Sequence, residues 1–357
     1  MAWFVLILLI LLAFSFFSLR GEDLSYLDSG VLPQPVGEPS QAHHEVVASL
    51  EEATVLLSGG SHKGRLSRIR DYMDCMSDGK EFDSEFRSVQ DGMLRGEWVI
   101  APGADPKRRL LYIHGGAWMM GSPKSHRSIT DKLSRITNAA VFSLDYRLMP
   151  ENTRREGIED TQKAYRWILD NGPAGPESLS FLMVAGDSAG GNLTLSLIAW
   201  VRDQKLRAPD AAVAFSPVVD TAMTSPSLRS NISSDPMLGS PFGKLTKVPL
   251  LFMWWFTWLG SRIRPADPLG SPLRGDLSGL PPVLVQVSEA EMLFDDARRY
   301  VAKAQAAGSP VELQHWSFMV HVWQIFTPEL PEAEEAYDNI AEFLVSVEGP
   351  TALEEAG

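Results

Sequence analysis

One serine stands between two glycines in the stretch "GDSAG" at residues 186–190, directly after an apolar run. This pattern is typical of a sharp turn from a strand into a helix, where small residues relieve crowding and the hydroxyl of Ser188 is raised above a sheet. Leu193, Leu197 and Trp200 follow at helical spacing, as that context requires. A plain turn before a helix would show the same letters. Ser188 is therefore a candidate nucleophile whose partners must be sought elsewhere in the chain.

A pair of glycines in "YIHGGAW" could supply donors for the negative charge that develops when a serine attacks a carbonyl. Gly115 and Gly116 follow a strand-like run, and their N–H groups can approach an oxyanion because no Cβ intervenes. The N–H of Ala189, directly after the serine, would be a third donor. We expect His114 to brace this loop. Alone the glycines could form an ordinary turn, but their place ahead of the serine motif predicts an oxyanion hole.

A base must take the proton of Ser188, and two histidines belong to the end of the last strand-like run or follow it. His315 alternates with Val311 and Leu313 in "VELQHW", as a packed strand residue does. His321 falls in the turn after that run, where a side chain can hang over the sheet edge. We therefore predict His321 as the base. Four further histidines have no motif around them: His43, His44, His62 and His126.

The base in turn needs a carboxylate that fixes its tautomer and stabilises the imidazolium. Four acids follow the strand-like run "VLVQVS": Glu289, Glu291, Asp295 and Asp296. We expect one of them to be buried against His321, and the others to be solvated acids or charges favoured at a helix N-terminus. The chain order of serine, acid and histidine is the order found in alpha/beta-hydrolases.

The elements that must hold these residues alternate between strand and helix. Short apolar runs at 97–102, 110–116, 139–146, 180–188, 211–217 and 282–288 are separated or followed by helical patterns at 129–137, 157–170, 191–204 and 295–307. Such alternation predicts an α/β fold with a mostly parallel central sheet and helices on both faces. Between residues 217 and 282 the pattern stops for about 65 residues, which is too long for a plain connection and predicts a helical cap.

Composition excludes several classes of protein. The chain has 357 residues, of which 45% are hydrophobic, so it can bury a sizeable core and is not disordered. Its formal net charge of −13 and the lack of a dense Lys/Arg run argue against a nucleic-acid partner. The single cysteine, Cys75, cannot form an internal disulfide, and no ligand spacing for a metal occurs. No cofactor is expected.

The N-terminus differs from the rest of the chain. Residues 2–19 carry no charge, and "WFVLILLILLAFSFF" is more apolar than a segment of a globular domain should be. Its length is at the lower limit for a spanning helix. We favour an uncleaved membrane anchor because no Lys or Arg precedes the apolar run, while the small residues "AFS" leave a cleaved signal open. Charges on the two sides nearly balance, so no orientation is assigned. A Gly-, Pro- and acid-rich linker is expected over 20–42.

Five segments together resemble the hormone-sensitive-lipase-like esterases of the alpha/beta-hydrolase fold, which include the bacterial family IV esterases. They are "HGGAW", "DYRLMPE", "GDSAGGN", "EMLFDD" and "HVWQIF", in this order between residues 110 and 344. The resemblance departs at "PENTRREG", which puts a charged patch where the family has a Pro-rich turn, and at Ala117, where a third glycine is usual. It implies a hydrolase domain over 43–348, with cap elements at about 43–80 and 217–270, and a tail over 349–357.

The resemblance also implies the roles of the site residues. The family's acid begins a pattern of acid, any residue, Leu, any residue, Asp, which Glu291 satisfies; it also lies three residues past the strand end. Asp295 stays open as the alternative, because the family more often has Asp. The implied site is a nucleophile with its base and acid, and three oxyanion donors: Ser188, His321 and Glu291, with Gly115, Gly116 and Ala189.

The expected activity is hydrolysis of short- to medium-chain acyl esters through an acyl-enzyme intermediate. A membrane-tethered arylacetamide-type deacetylase would use the same triad and remains the alternative. A pure ligand receptor on this fold is disfavoured, because His321 stands in a complete motif. In the expected cap, Trp254 and Trp258 share one helical face, where they could pack, line an acyl pocket or dip into a bilayer.

Overall fold

The computed structural model describes residues 2–29, 38–59 and 64–349. Within these residues an eight-stranded sheet forms the centre, and a short hairpin of two strands lies apart from it. The strands are β1 (Glu85–Asp91), β2 (Leu94–Ile100), β3 (Asp105–Ile113), β4 (Ala139–Leu144), β5 (Asn171–Gly172), β6 (Gly175–Pro176), β7 (Phe181–Asp187), β8 (Ala211–Phe215), β9 (Val283–Ser288) and β10 (Val311–Trp316). His62 and residues 350–357 lie outside the described residues.

The order of strands in the sheet is β1-β2-β4-β3-β7-β8-β9-β10. Strand β2 pairs antiparallel with both of its neighbours, and all other neighbouring pairs are parallel. The predicted α/β fold is therefore confirmed. The carboxyl ends of β3, β7, β8, β9 and β10 meet at one edge of the sheet, which is where ligands bind in such folds.

Helices cover both faces of the sheet. The helices of the described residues are α1 (Ala2–Phe14), α2 (Gln41–Ser58), α3 (Arg65–Cys75), α4 (Arg127–Thr137), α5 (Arg154–Asp170), α6 (Ala189–Asp203), α7 (Ser227–Ser230), α8 (Gly239–Phe242), α9 (Leu250–Ser261), α10 (Phe294–Ala306) and α11 (Pro331–Glu348), and five of them lie on the faces of the sheet. Helices α4 and α11 pack on one face through side chains such as Leu133 and Ile340. Helices α5, α6 and α10 pack on the other, so the inner strands are buried on both sides.

The edge strand β1 is the element of the sheet that the sequence pattern did not predict. Its residues "EFRSVQD" are exposed or half-buried throughout, because only β2 pairs with it. An edge strand with one covered face needs no continuous apolar run, so the signal used for the other strands is missing there. The strands and helices that the sequence pattern did predict agree with the structure to within a few residues.

The segment between β8 and β9 contains helices and no strand, as its sequence pattern predicts. Helix α9 is its longest element. The indole N–H of Trp254 donates to the carbonyl of Ala222 at 2.8 Å, which fixes α9 to the loop after β8.

The N-terminal apolar segment is attached to this part of the molecule. After α1, a π-helical segment (Ser15–Arg20) leads to a short 3-10 helix (Ser25–Asp28). Leu24 and Leu27 are buried in the core cluster formed by α6, α10 and the strands β8 and β9. The carboxylate of Asp28 pairs with Arg299 at 2.6 Å. The prediction of a linker over 20–42 therefore does not hold at Leu24, Leu27 and Asp28, which pack on α10 and its neighbours; residues 30–37 lie outside the described part.

Candidate active site

Ser188 lies at the turn between the end of β7 and the start of α6. Its backbone has φ 53° and ψ −115°, a strained conformation for a residue with a side chain. A Cβ on Gly186 would lie 2.6 Å from the carbonyl oxygen of Ile113, and one on Gly190 would overlap the same atom. The two flanking glycines are thus required because β3 approaches this turn closely.

A chain of hydrogen bonds links Ser188, His321 and Glu291. The hydroxyl of Ser188 lies 2.9 Å from Nε2 of His321, and Nδ1 of that ring lies 2.6 Å from Oε2 of Glu291. The second carboxylate oxygen, Oε1, accepts from the Ser288 N–H and from the Ser216 hydroxyl, each at 2.8 Å. An ionised carboxylate can only accept, so the ring proton belongs on Nδ1. Nε2 is then free to accept the proton of Ser188.

Burial and charge act in opposite directions on the pair of His321 and Glu291. Burial alone would lower the pKa of His321, but the hydrogen bond and the charge of Glu291 outweigh it and raise that pKa above its ordinary value. Burial raises the pKa of Glu291, and the hydrogen bond from His321 opposes that rise. The half-buried Ser188 is the member of the three that solvent reaches most.

The other candidate acids are occupied elsewhere. Glu289 lies 3.2 Å from the ring of His315, which sits in β10 as a packed strand residue, as predicted. Asp295 accepts the N–H of the first residue of α7 at 2.8 Å. Asp296 accepts two N–H groups of the loop after β8. Glu291 is thus the one of the four that the structure brings to His321. Among the described residues, no three His, Cys, Asp or Glu side chains are grouped to hold a metal ion.

The loop after β3 is held against the serine turn by Asp187. The N–H of Gly115 donates to Oδ1 of Asp187 at 2.9 Å, and the hydroxyl of Tyr112 donates to the same oxygen at 2.6 Å. Nε2 of His126 lies 3.4 Å from the other oxygen, Oδ2. Although burial would raise the pKa of Asp187, these partners lower it. The prediction that Gly115 provides an oxyanion donor is therefore wrong, because its N–H is already held by a carboxylate.

Three other backbone N–H groups of this loop and of the serine turn have no acceptor in the part of the chain that the structure describes: those of Gly116, Ala117 and Ala189. Gly116 has φ 107° and Ala117 has φ 54°, so the loop turns sharply at both residues. His114 supports this turn: its Nδ1 lies 2.8 Å from the Gly115 carbonyl oxygen, and its ring stacks on that of Tyr146 with centroids 4.4 Å apart. Burial lowers the pKa of His114 to about 3, so the ring is neutral.

Within the charged segment "PENTRREG", Arg154 does not face the solvent. This side chain is buried and donates to Oδ1 of Asn192 at 3.0 Å and to the carbonyl of Gly270 at 2.9 Å. Its guanidinium lies 3.9 Å from the centre of the Trp118 ring. Burial lowers its pKa to about 10. Arg154 thus ties α5 to α6 and to the loop that carries Trp118.

Four residues that support the site carry no signal in a single sequence. Asp187 lies inside the serine motif, but its role as an acceptor depends on partners far along the chain. Tyr112 and Ser216 stand in unremarkable contexts and become neighbours of the site only through the parallel pairing of β3, β7, β8 and β9, and His126 does so because it directly precedes α4, which packs on the sheet. Their contribution requires the fold.

Known proteins with a similar sequence or structure agree with this geometry. The sequence model of the alpha/beta hydrolase fold family matches residues 110–325. An acetyl-hydrolase of Streptomyces hygroscopicus is 37% identical over 259 residues, which cover 72% of this chain and 82% of that protein. An esterase of Acinetobacter venetianus is 34% identical, over 74% of this chain and 83% of its own. The crystal structure of an esterase from the bacterial hormone-sensitive lipase family superimposes with a TM-score of 0.75 at 33% identity, covering 88% of this chain and all of that one.

These matches define the class of the protein. The chain belongs to the alpha/beta-hydrolase fold family and, within it, to the hormone-sensitive-lipase-like esterases. It is a serine hydrolase of the carboxylic ester hydrolase type. The deacetylase or amidase alternative is not favoured by these relatives.

Proposed function

We propose that this chain hydrolyses carboxylic esters with short to medium acyl chains through an acyl-enzyme intermediate on Ser188. The observation that carries the proposal is the continuous hydrogen-bonded chain from Ser188 through His321 to the buried Glu291. In such an arrangement the acid fixes the tautomer of the base, and the base activates the nucleophile.

The reaction follows from the atoms of this chain. His321 Nε2 takes the proton of Ser188 while Oγ forms a bond to the ester carbonyl carbon. The resulting imidazolium keeps its Nδ1 proton, which donates to Glu291 Oε2, and it gives the Nε2 proton to the leaving alcohol as the ester C–O bond breaks. Water, deprotonated by the same nitrogen, attacks the acyl carbon. The bond from the acyl carbon to Oγ then breaks, the carboxylic acid leaves, and His321 Nε2 returns the proton to Ser188 Oγ.

The oxyanion of each tetrahedral intermediate would be stabilised by backbone N–H groups that are not otherwise engaged. We propose Gly116 and Ala189 for this role, with Ala117 in place of Gly115. Ala189 begins α6, so its N–H also lies at the positive end of a helix dipole. Gly115 and Asp187 would then serve to hold the loop rather than to contact substrate.

Helices α2 and α3 would cover part of this site, as the N-terminal of two cap elements, near 43–80 and 217–270, in a hydrolase domain over 43–348. From α3, Arg70 donates to the carbonyl of Met119 at 2.7 Å and to that of Met149 at 2.9 Å, beside the oxyanion loop. From α2, side chains such as Val47 pack against the turn that carries His321. The contacts of α3 and α2 therefore reach both the proposed oxyanion loop and the turn that carries His321.

We also propose that the N-terminal segment is an uncleaved membrane anchor. The stretch Trp3–Arg20 has a mean hydropathy of 2.3 and is long enough to cross a bilayer. Most large side chains of α1 are exposed, which is costly in water for a helix that is apolar on all sides. The indole N–H of Trp255 donates to the Ser15 hydroxyl at 2.8 Å, so the base of the segment is attached to α9.

Hydrolysis of p-nitrophenyl esters of graded chain length tests the proposed function. The full chain should turn over the butyrate ester, and Ser188→Ala should reduce the rate to near the uncatalysed background. Ser196→Ala, on the same helix α6, is the matched control and should keep the wild-type rate. A p-nitroanilide series run in parallel measures the preference for esters over amides. Retained hydrolysis in a folded Ser188→Ala chain would contradict the mechanism.

A further inference from the structure

Helix α9 presents a row of large apolar side chains to the outside of the molecule. Phe252, Phe256 and Leu259 are 63%, 74% and 52% exposed and recur at positions i, i+4 and i+7, so they form one face of the helix. The opposite face is occupied, because Met253 and Trp254 are buried. A helix with both faces apolar, of which only one is covered by protein, leaves a surface that water solvates poorly.

This outer face lies beside the proposed anchor. The ring of Phe14, the last residue of α1, is 5.7 Å from that of Trp255 and 5.2 Å from that of Trp258, centre to centre. Phe16 contacts Trp254 edge-on at 5.8 Å. The apolar helix α1 therefore leaves the protein at α9, from a cluster of tryptophans and phenylalanines. Tryptophan-rich belts of this kind are typical of the level at which a protein meets the membrane interface.

Charge around α9 differs in sign from the rest of the chain. No Asp or Glu occurs between Asp235 and Asp267, although the whole chain has a net charge of −13. The same interval has four basic residues, all exposed, two before α9 and two after it: Lys244, Lys247, Arg262 and Arg264. Each cation near an anionic membrane surface contributes roughly 1 kcal/mol to binding.

We propose that α9 is an interfacial helix that lies in the surface of an anionic lipid bilayer beside α1, with Phe252, Phe256 and Leu259 in the acyl boundary. The flanking cations would then lie among the headgroups. This proposal rests on the proposed anchor and goes beyond it, because it makes the membrane touch the segment between β8 and β9 as well as the N-terminus. A second copy of this chain could also cover an apolar face, but the four exposed cations that flank α9 favour anionic lipid.

Site-specific fluorescence in vesicles tests the proposal on the full chain. In a Cys75→Ser background, a bimane label is attached at one of three positions: Phe256→Cys on α9, Ile10→Cys on α1, and Met93→Cys in the β1–β2 turn. Met93 is 66% exposed and is the matched water-facing control. Each chain is reconstituted in an equal mixture of phosphatidylcholine and phosphatidylglycerol. Quenching is measured with brominated acyl chains and with aqueous iodide.

The proposal predicts that the labels at 256 and 10 are quenched by brominated chains and that vesicles lower their iodide quenching several-fold, whereas the label at 93 responds to iodide alone. If the label at 10 is in lipid but the label at 256 behaves like that at 93, the anchor holds and the interfacial role of α9 is refuted. A label at 256 that is shielded from both quenchers would indicate a protein partner, and it would refute the proposal too. If neither label meets lipid, both proposals fail.

Each labelled chain is also assayed with p-nitrophenyl butyrate, which reports folding and the proposed esterase function independently of the membrane. Should the chain with Phe256→Cys be inactive, Leu259→Cys on the same face replaces it. A comparison with pure phosphatidylcholine vesicles measures the electrostatic contribution to the insertion of α9. Lipid quenching of the label at 256 should fall in these vesicles, while that of the label at 10 should not.

Discussion

Changing Glu291 to glutamine removes the negative charge of the side chain but keeps its size and shape. In the structure Oε1 accepts from the Ser288 N–H and the Ser216 hydroxyl, while Oε2 faces Nδ1 of His321. The amide oxygen of glutamine would take the Oε1 position, because a backbone N–H can bond only to an acceptor. The amide NH2 would then point at His321 and force Nδ1 to accept. The ring proton would move to Nε2, which could no longer take the proton of Ser188.

The expected loss of turnover is about 10,000-fold, the size that the same acid-to-amide change has in a serine protease triad. This corresponds to about 5 kcal/mol of transition-state stabilisation. The assay is kcat for p-nitrophenyl butyrate with circular dichroism as a check on folding. Asp295→Asn is the matched control, and it should keep turnover within a few-fold because Asp295 bonds to a backbone N–H of α7 and to Arg298 rather than to His321. A nearly normal Glu291→Gln chain beside an inactive but folded Asp295→Asn chain would refute the assignment.

The same variant has a signature in its pH profile. Glu291 is what raises the pKa of His321 against the effect of burial. Activity needs neutral His321, so the wild-type rate should fall as the pH drops through a pKa above the ordinary value of 6.5. In Glu291→Gln the residual activity should persist to lower pH. An unchanged profile would show that Glu291 does not act on the base.

Three further results are expected from the rest of the structure. Gly190→Ala should cost several kcal/mol of stability and abolish hydrolysis, because a Cβ there would overlap the backbone of β3; thermal unfolding and the ester assay measure both. Burial and the charge of Asp220 raise the pKa of Asp296 to about 7. The raised pKa therefore stabilises the folded chain below about pH 4, and this stabilisation is lost as the pH rises to 7. Relative to Asp296→Asn, the wild-type free energy of unfolding should fall over this range by up to about 4 kcal/mol, and parallel curves for the two chains would refute this. Removing residues 1–12 should leave hydrolysis of small esters unchanged, whereas removing 1–28 should cost about 3–6 kcal/mol of stability with the loss of two buried leucines.

Sequence alone was sufficient where a local pattern has a local cause. The glycines around Ser188 mark a turn that only small residues permit, and the apolar runs mark strands buried on both faces. His321 could be chosen over His315 because alternation places His315 within a strand. These features depend on near neighbours in the chain, so the fold class, the serine turn and the two histidine positions could be predicted.

Sequence reasoning was wrong where a group's role depends on a distant partner. Gly115 has the residue type of an oxyanion donor, but its N–H bonds to Asp187, which joins it only through the pairing of β3 with β7. Arg154 belongs to the charged segment "PENTRREG", but its burial depends on Asn192 and Gly270, which the segment itself does not reveal. Residues 21–28 have the composition of a linker, yet Leu27 and Asp28 find partners on α10. In each case the deciding contact lies far away in sequence.

Trapping the acyl-enzyme tests the central claim most directly. The wild-type chain is mixed with excess p-nitrophenyl butyrate, quenched in acid within the first turnovers, digested and analysed by mass spectrometry. We predict a single butyryl adduct on the peptide that contains Ser188, and none in Ser188→Ala. In Glu291→Gln the amount of adduct, relative to the turnover rate of that chain, should be larger than in the wild type. A butyryl group on another residue, or wild-type hydrolysis with no adduct on Ser188 under conditions where deacylation is slow, would contradict the account.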